Sequence, residues 1–347
     1  MNKEVRIYLD NIHEAFICAV KGAGHPDESF ISVNGLKIKL CFAGEAVNLR
    51  MMPAFDHLIC DAANETALTV NIWDSQSTGV ALPDEPWSED ISQITDKILM
   101  FNQDSIHMLY NPASMVYSLI DTKTRTAYCH VPDANLVPYY ERSSPLRMIL
   151  HWCFEQNGMH LIHSASVGIG GKGVLLVGRG GSGKSTTALA SLINGLDYIG
   201  DDYIAVSKNP HPLAFSIYNS VEVNSDVLEK IPELQNHIIN LERLDSEKGL
   251  IFLNRSFSKN IVRQLKIKAI VMPVVSGKST SCMYKIPSLK AFAELASSTI
   301  FQMPGSGEVM LRGLKHVIND LPVFAMDLGN DFSEITGTLR MFIKSLT

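Results

Sequence analysis

One segment limits what this chain can fold into more than any other. Lys172-Gly-Val-Leu-Leu-Val177 ends in a short apolar run, Gly178-Arg-Gly-Gly-Ser-Gly-Lys-Ser185 follows, and Leu189, Leu192 and Ile193 then recur on one side of a helical pattern. The spacing predicts a strand over Val174–Val177, a glycine loop, and a helix over Thr186–Ile193. Gly178-x-x-x-x-Gly183-Lys184-Ser185 in that strand–loop–helix setting is a P-loop pattern, so this part of the chain is expected to be α/β. Glycines let the backbone curl so that successive N–H groups point at phosphate oxygens. The helix N-terminus adds the positive end of its dipole. Gly178, Arg179, Gly180, Gly181, Ser182, Gly183, Lys184, Ser185 and Thr186 are therefore expected to surround a nucleoside triphosphate. Lys184 would reach the β- and γ-phosphates, and the Ser185 hydroxyl would bind Mg²⁺. The Arg179 side chain itself reads as solvated.

A P-loop names a ligand class and not a reaction. Leu196-Asp-Tyr-Ile-Gly-Asp201-Asp202-Tyr-Ile-Ala-Val206 sets two adjacent carboxylates between two apolar stretches. In an α/β sheet, a strand end beside the P-loop strand faces the phosphates. One carboxylate there can hold Mg²⁺ and the other can accept a proton from an attacking hydroxyl. The alternative is a surface turn, because Gly-Asp-Asp is also good turn chemistry. Upstream, Leu161-Ile-His163-Ser-Ala-Ser-Val167 reads as one strand ending in Gly168-Ile-Gly-Gly171. A hairpin with Val174–Val177 would place His163 in the strand beside the P-loop. A lone His on an apolar strand is more often a core residue than a catalyst. His160 and His163 fall on opposite faces of such a strand, so a joint metal site is not expected.

The chain has 347 residues, enough for two domains. Thirty Lys and Arg against 36 Asp and Glu give a net charge of −6, with no basic stripe of the kind nucleic-acid binders need. A single Lys and backbone N–H groups can still hold a phosphate. No apolar run approaches the roughly 18–20 residues of a membrane span, and no signal segment follows the N-terminus. The six cysteines are scattered without a CxxC pair, which fits a reduced, cytoplasmic protein. Val5–Leu9, Leu36–Phe42 and Leu68–Trp73 read as strands, and Pro83–Asp90 as a loop. Ile106–Tyr110, Met115–Ile120 and Arg125–Val131 read as an antiparallel meander. Ser144-Pro145 reads as a helix start, with Leu146, Ile149, Leu150 and Cys153 on its apolar face and Gly158 as its stop. The expected division is a strand-rich domain over 1–140, for substrate recognition or assembly, and a P-loop domain over 141–347.

His163, the loop Gly178–Ser185 and the Asp201-Asp202 pair, in that order, resemble the catalytic core of the HPr kinase/phosphorylase family. That family is a bacterial serine kinase whose P-loop fold is related to phosphoenolpyruvate carboxykinase. His163 precedes Lys184 by 21 residues and Asp202 follows it by 18, the offsets of that family. Ser144–Trp152, His163–Val167, Gly200–Tyr203 and Ser298–Pro304 look closer to a divergent branch. Members of that broader group occur beside ribosomal peptide clusters, including lasso-peptide clusters, and phosphorylate a serine of the precursor. The resemblance covers residues from about 140 onward.

The resemblance implies an ATP- and Mg²⁺-dependent kinase acting on a serine of a peptide or protein. It implies Asp202 as base, Asp201 beside it at the metal with Ser185, Lys184 on the phosphates, and His163 supporting the Asp pair or the moving phosphoryl group. Family members are ring-like, so a homo-oligomer is also implied. The chain departs from the family after the Asp pair, where Glu222 is the nearest acid but five residues short of the family's spacing. The readings that stay open are a small-molecule hydroxyl kinase and a nucleotide-switched binding module or ATPase without transfer.

Overall fold

The first element overturns an expectation. Val5–Leu9 looks like a strand in isolation, yet Lys3–Ala23 forms one helix, α1. A computed structural model describes residues 3–86, 92–95, 98–208, 211–304 and 307–346; Trp87–Asp90, in the expected loop Pro83–Asp90, lie outside the described residues. The buried residues of α1 are Val5, Tyr8, Ile12, Phe16 and Ala19. Their intervals of three and four are the helical period, which a five-residue window cannot reveal. This stripe packs with Trp73, Phe101, Tyr117 and Tyr128 into one apolar cluster. The Tyr8 hydroxyl donates to the buried Tyr117 hydroxyl at 2.9 Å, so neither phenol is left with its polar tip unpaired.

The chain divides into two units, Met1–Asn157 and Gly158–Thr347. The boundary falls later than residue 140 because helix α2, Arg147–Gln156, packs on the strand Val116–Asp121 of the first unit. That helix begins after Leu146, two residues beyond Ser144.

The first unit carries one eight-stranded sheet. Its strands are β1 (Pro26–Val33), β2 (Leu36–Ala43), β3 (Leu68–Asp74), β4 (Ser92–Thr95), β5 (Ile98–Gln103), β6 (Ile106–Asn111), β7 (Val116–Asp121) and β8 (Thr126–Val131). The spatial order is β1-β2-β3-β8-β7-β6-β5-β4. β1 and β2 form a hairpin through Asn34-Gly35, both at positive φ, as a tight primed turn requires. β2, β3 and β8 run parallel, and β4 to β8 form an antiparallel meander that includes the three strands expected at 106–131.

The second unit is mixed α/β. Its strands are β9 (His160–His163), β10 (Ala165–Ile169), β11 (Lys172–Leu176), β12 (Asp197–Gly200), β13 (Tyr203–Ser207), β14 (Leu213–Phe215), β15 (Ser220–Val223), β16 (Gly249–Phe252), β17 (Gln264–Val275), β18 (Cys282–Lys285) and β19 (Val323–Leu328). The main helices are α3 (Lys184–Ile193), α4 (Ser288–Gln302), α5 (Gly307–Ile318) and α6 (Phe332–Ser345). The central strand β17 pairs in parallel with β11 and β19 and antiparallel with β14. It is apolar through Ala269–Val274, as a strand covered on both faces must be. Helices α3 and α6 pack against each other. Leu189, Leu192, Leu339 and Ile343 bury into the same cluster as Val174, Leu176 and Val271.

The expected strand over Leu161–Val167 is two strands broken at Ser164. β10 makes the antiparallel hairpin with β11. β9 instead pairs with β13, setting His163 opposite Tyr203. His163 is therefore not in the strand beside β11, and it arrives at the site from the β13 side. All six cysteines are free, and among the described residues no helix is long and apolar enough to cross a membrane.

Candidate functional site

The glycine loop leaves β11 at Val177, whose N–H donates to the Val271 carbonyl, and enters α3 at Lys184. Two glycines are there for space. A side chain at Gly178 would meet the Ser182 hydroxyl at 2.6 Å, and one at Gly183, already at φ +96°, would meet Leu328 at 2.5 Å. Gly181 also sits at positive φ, whereas Gly180 faces open space. Arg179, Gly180 and Gly181 are exposed at the loop tip, and Ser182, Ser185 and Thr186 are half-buried.

Lys184 is buried and folds back on the loop. Its Nζ donates to the carbonyls of Gly178 at 2.7 Å and Arg179 at 3.4 Å. Burial pushes its pKa down, and the negative charges of Asp201, Asp202 and Glu294 oppose that shift. The two aspartates are thus close enough to act electrostatically on the loop lysine.

Both aspartates lie where β12 gives way to β13, opposite the break between β9 and β10. Residues 160–169 run antiparallel to 197–207 across this point, joined by the Ser164 N–H to the Asp202 carbonyl at 3.0 Å. Asp202 has φ +61°. A side chain other than glycine is uncommon there, though Asp is among the residues that tolerate it. The kink turns neighbouring carboxylates toward different partners. Asp201 takes a hydrogen bond from the Ser185 hydroxyl, and Asp202 Oδ1 stands 3.3 Å from His163 Nε2.

The two carboxyls are displaced in opposite directions. Asp201 is about 5% exposed, and burial, with Asp202's charge beside it, raises its pKa to about 7. For Asp202 burial is the largest single influence and also works upward, but the hydrogen bond and charge of His163 together with the nearby lysine charges outweigh it, and the net shift is downward. The charge of Lys248 adds to that lowering. Asp201 Oδ1 is buried with no hydrogen-bond partner among the described residues. Such an atom costs about 1–3 kcal/mol unless something meets it. Beside the Ser185 hydroxyl, it forms a hard oxygen donor set of the kind Mg²⁺ takes.

His163 is held on three sides. Its backbone N–H donates to Thr299 Oγ1 at 3.1 Å, its ring lies 5.8 Å from the Tyr203 ring, and Nε2 faces Asp202. The Tyr203 hydroxyl donates to Gln302 Oε1 at 3.0 Å. Helix α4 therefore braces the His163 backbone and the Tyr203 hydroxyl from one stretch, residues 299–302. Sequence reasoning assigned neither Thr299 nor Gln302. The available signal was the phrase Ser298–Pro304, which the family resemblance had already marked.

Two nearby candidates fall elsewhere. His160 packs its ring against Gly313 of α5, where an added methyl would lie 2.2 Å from it. Glu222 bonds the Lys248 ammonium at 3.3 Å and so is engaged by a cation that also acts on Asp202. Sequence reasoning had no means to place Lys248 here. Asp327 is paired with Lys278 and Tyr284. Among the described residues no three His, Cys, Asp or Glu side chains cluster as a metal-ion site.

No family model matches this chain, and no curated protein matches it. Among solved structures, it is similar to the Hpr(Ser) kinase/phosphatase from Coxiella burnetii. The identity is 13% over 54% of this chain and 93% of that one, with a TM-score of 0.28.

Proposed function

We propose that the second unit is a P-loop kinase domain that transfers the terminal phosphate of ATP to a serine hydroxyl of a peptide or protein. The observation that carries this reading is the divided aspartate pair. One carboxyl is neutral-leaning and bonded to Ser185, and the other is ionised and held by His163, with both acting on Lys184. A binding module needs the loop and the lysine. It has no use for a second carboxylate kept ionised and aimed by a histidine.

The loop amides and Lys184 would hold the phosphates, and Ser185 with Asp201 would hold Mg²⁺. Bound there, Mg²⁺ would supply charge neutralisation on the phosphate oxygens. Asp202 accepts the proton of the acceptor hydroxyl as its oxygen forms the new bond to phosphorus and the bond to ADP breaks. Its lowered pKa keeps it ionised at neutral pH, and a loose transition state asks more of its orientation than of its basicity. His163 is a positioning residue for that carboxylate, donating from Nε2. Thr299 and Gln302 fix His163 and Tyr203 in turn.

The test is incubation with ATP, Mg²⁺ and serine-bearing peptides encoded nearby, read by mass spectrometry for added phosphate. Asp202→Asn is expected to lower transfer by about 10²–10⁴-fold, the usual contribution of a positioned base, while nucleotide binding stays near wild type. Transfer to a metabolite panel and not to peptides would reassign the acceptor. Nucleotide binding with no phosphorylated product from either would overturn the kinase reading.

A further inference from the structure

The phosphate loop and the aspartates together fix where the rest of a nucleotide must go. In the sheet order β12-β10-β11-β17, the aspartates follow β12 on one side of β11, and β17 stands on the other. Ligands of an α/β sheet lie outside the carboxyl ends of its parallel strands. On the kinase reading above, on which this step rests, the terminal phosphate turns toward Asp202. The sugar and base then leave the loop on the β17 side.

An exposed apolar ledge stands there. Leu176, the last residue of β11, is level with Val271, yet β17 runs on to Val275. At about 3.3 Å per residue, that extension carries it roughly 13 Å along the loop. β19 accompanies it, with Val275 beside Leu328. Both side chains face the start of α3: a side chain at Gly183 would meet Leu328 at 2.5 Å and Val275 at 3.6 Å. Leu328 is buried, but Val275 is 66% exposed, so most of its surface is left for a ligand to cover. The ledge is also held still. The Ser276 hydroxyl donates to the Leu328 carbonyl at 3.2 Å, and the Gly329 N–H to the Ser281 hydroxyl at 3.0 Å. The Ser281 N–H in turn donates to Glu334 at 2.8 Å. A β-branched side chain on a fixed strand has little freedom to lose on binding.

The turn beyond Val275 is not a rival phosphate site. Ser276-Gly277-Lys278-Ser279-Thr280 repeats Ser182–Thr186 letter for letter, and Gly277 also sits at positive φ. Strand β18 follows it, however, and not a helix. Lys278 is paired with Asp327. Asp327 alternates with Leu328 along β19 and so lies on the sheet face away from α3. What the ledge presents beside Gly183 is therefore apolar.

We infer that Val275 carries the nucleoside half of the nucleotide. The sugar and base lie across its exposed methyl groups, while the phosphates stay on Gly178–Ser185. Val275 is then a specificity residue, because it separates a nucleoside triphosphate from a bare polyphosphate.

The experiment is calorimetric titration of the full chain with ATP and with tripolyphosphate, Mg²⁺ being in excess. Wild type is expected to hold ATP more tightly than tripolyphosphate. Val275→Ser removes the apolar contact and should weaken ATP by roughly three- to tenfold, while tripolyphosphate stays within about twofold. Val275→Ile keeps the contact and should bind ATP as wild type does. Azido-ATP, with its photolabel on the base, should mark the tryptic peptide 269–278 on irradiation. Equal weakening of both ligands by Val275→Ser would mean that the residue acts through Gly183 and would overturn the inference. So would an unchanged affinity for ATP, equal wild-type affinity for the two ligands, or a photolabel found only on other peptides. None of these readouts depends on phosphate transfer. A chain that tells the two ligands apart through Val275 but yields no phosphorylated product loses the kinase reading alone. A chain that transfers phosphate with the two affinities unmoved by Val275→Ser loses this inference alone.

Discussion

Replacing Asp201 by Asn should stabilise the chain while damaging its chemistry, and the size of the effect follows from the site. Asp201 is buried, lies next to another carboxylate, and has its pKa raised from 3.8 to about 7. A carboxyl raised on folding binds its proton more tightly in the native state than in the unfolded chain. Its contribution is fully present below about pH 4 and is lost as pH rises toward 7. The slope is about 1.4 kcal/mol per pH unit, so the span of roughly three units gives a ceiling of about 4 kcal/mol. Asn cannot ionise, and it retains an oxygen to accept the Ser185 bond. The Asp201→Asn protein should match wild type near pH 4.5 and exceed it progressively to pH 8. At about 2–4 °C per kcal/mol for a unit of this size, that ceiling corresponds to a gain in Tm near pH 8 of at most roughly 8–16 °C. The assay is thermal and urea unfolding from pH 4.5 to 8.5 in excess chelator, so that no divalent cation titrates with the carboxyl. Asp202 does not confuse the window, because its pKa is displaced downward and out of it. A variant less stable than wild type at pH 8, or one that keeps the wild-type pH slope, would refute the electrostatic account of this pair.

Other changes test other parts of the site. Gly183→Ala should cost about 1–3 kcal/mol in a melt, since it adds a methyl at φ +96° within 2.5 Å of Leu328, whereas Gly180→Ala should be nearly silent in stability. Asp202→Ala should be less stable than Asp202→Asn by about 0.5–1 kcal/mol, because Asn tolerates the left-handed backbone that Ala does not. Thr299→Val removes the acceptor for the His163 N–H. It should lower kcat with KM for ATP unchanged, and Thr299→Ser should restore most of the loss. Lys184→Ala should abolish nucleotide binding measured by calorimetry. A variant that keeps tight binding would remove the loop from the phosphate site altogether.

The glycine loop was legible because its chemistry is contiguous. Strand, turn glycines, lysine, serine and helix follow one another within about twenty residues, and each has a local cause. The meander over 106–131 was legible for the same reason, with alternating residues and short turns. What escaped needed distance. His163 looked like part of one strand because apolar residues flank Ser164 on both sides, and nothing local says that β9 leaves β10 to pair with β13. Thr299 lies 136 residues from His163, and Gln302 lies 99 from Tyr203. Neither carries a pattern of its own within α4. Helix α1 escaped through the length of the window: Val5–Leu9 is too short to separate a period of 2 from 3.6, and only Ile12, Phe16 and Ala19 decide it.

The aspartate pair shows why the break in the strand matters. Two adjacent carboxyls in a regular strand would point to opposite faces of the sheet, and only one could meet the loop. In a helix or a flat turn they would share one environment, and like charges would force one to stay protonated without selecting which. The left-handed residue at Asp202, opposite the gap at Ser164, does neither. It sends Asp201 inward to Ser185, where burial raises its pKa, and Asp202 to His163, where a donor lowers it. Groups whose environments push their pKa values apart are suited to different tasks. The strained backbone costs about 1–2 kcal/mol, and the structure over-determines it through the Ser164 bond, the His163 contact and the brace from α4. Relaxing that kink, by any change that lets 160–169 and 197–207 pair without a break, should merge the two environments and remove the division of labour before it removes the fold.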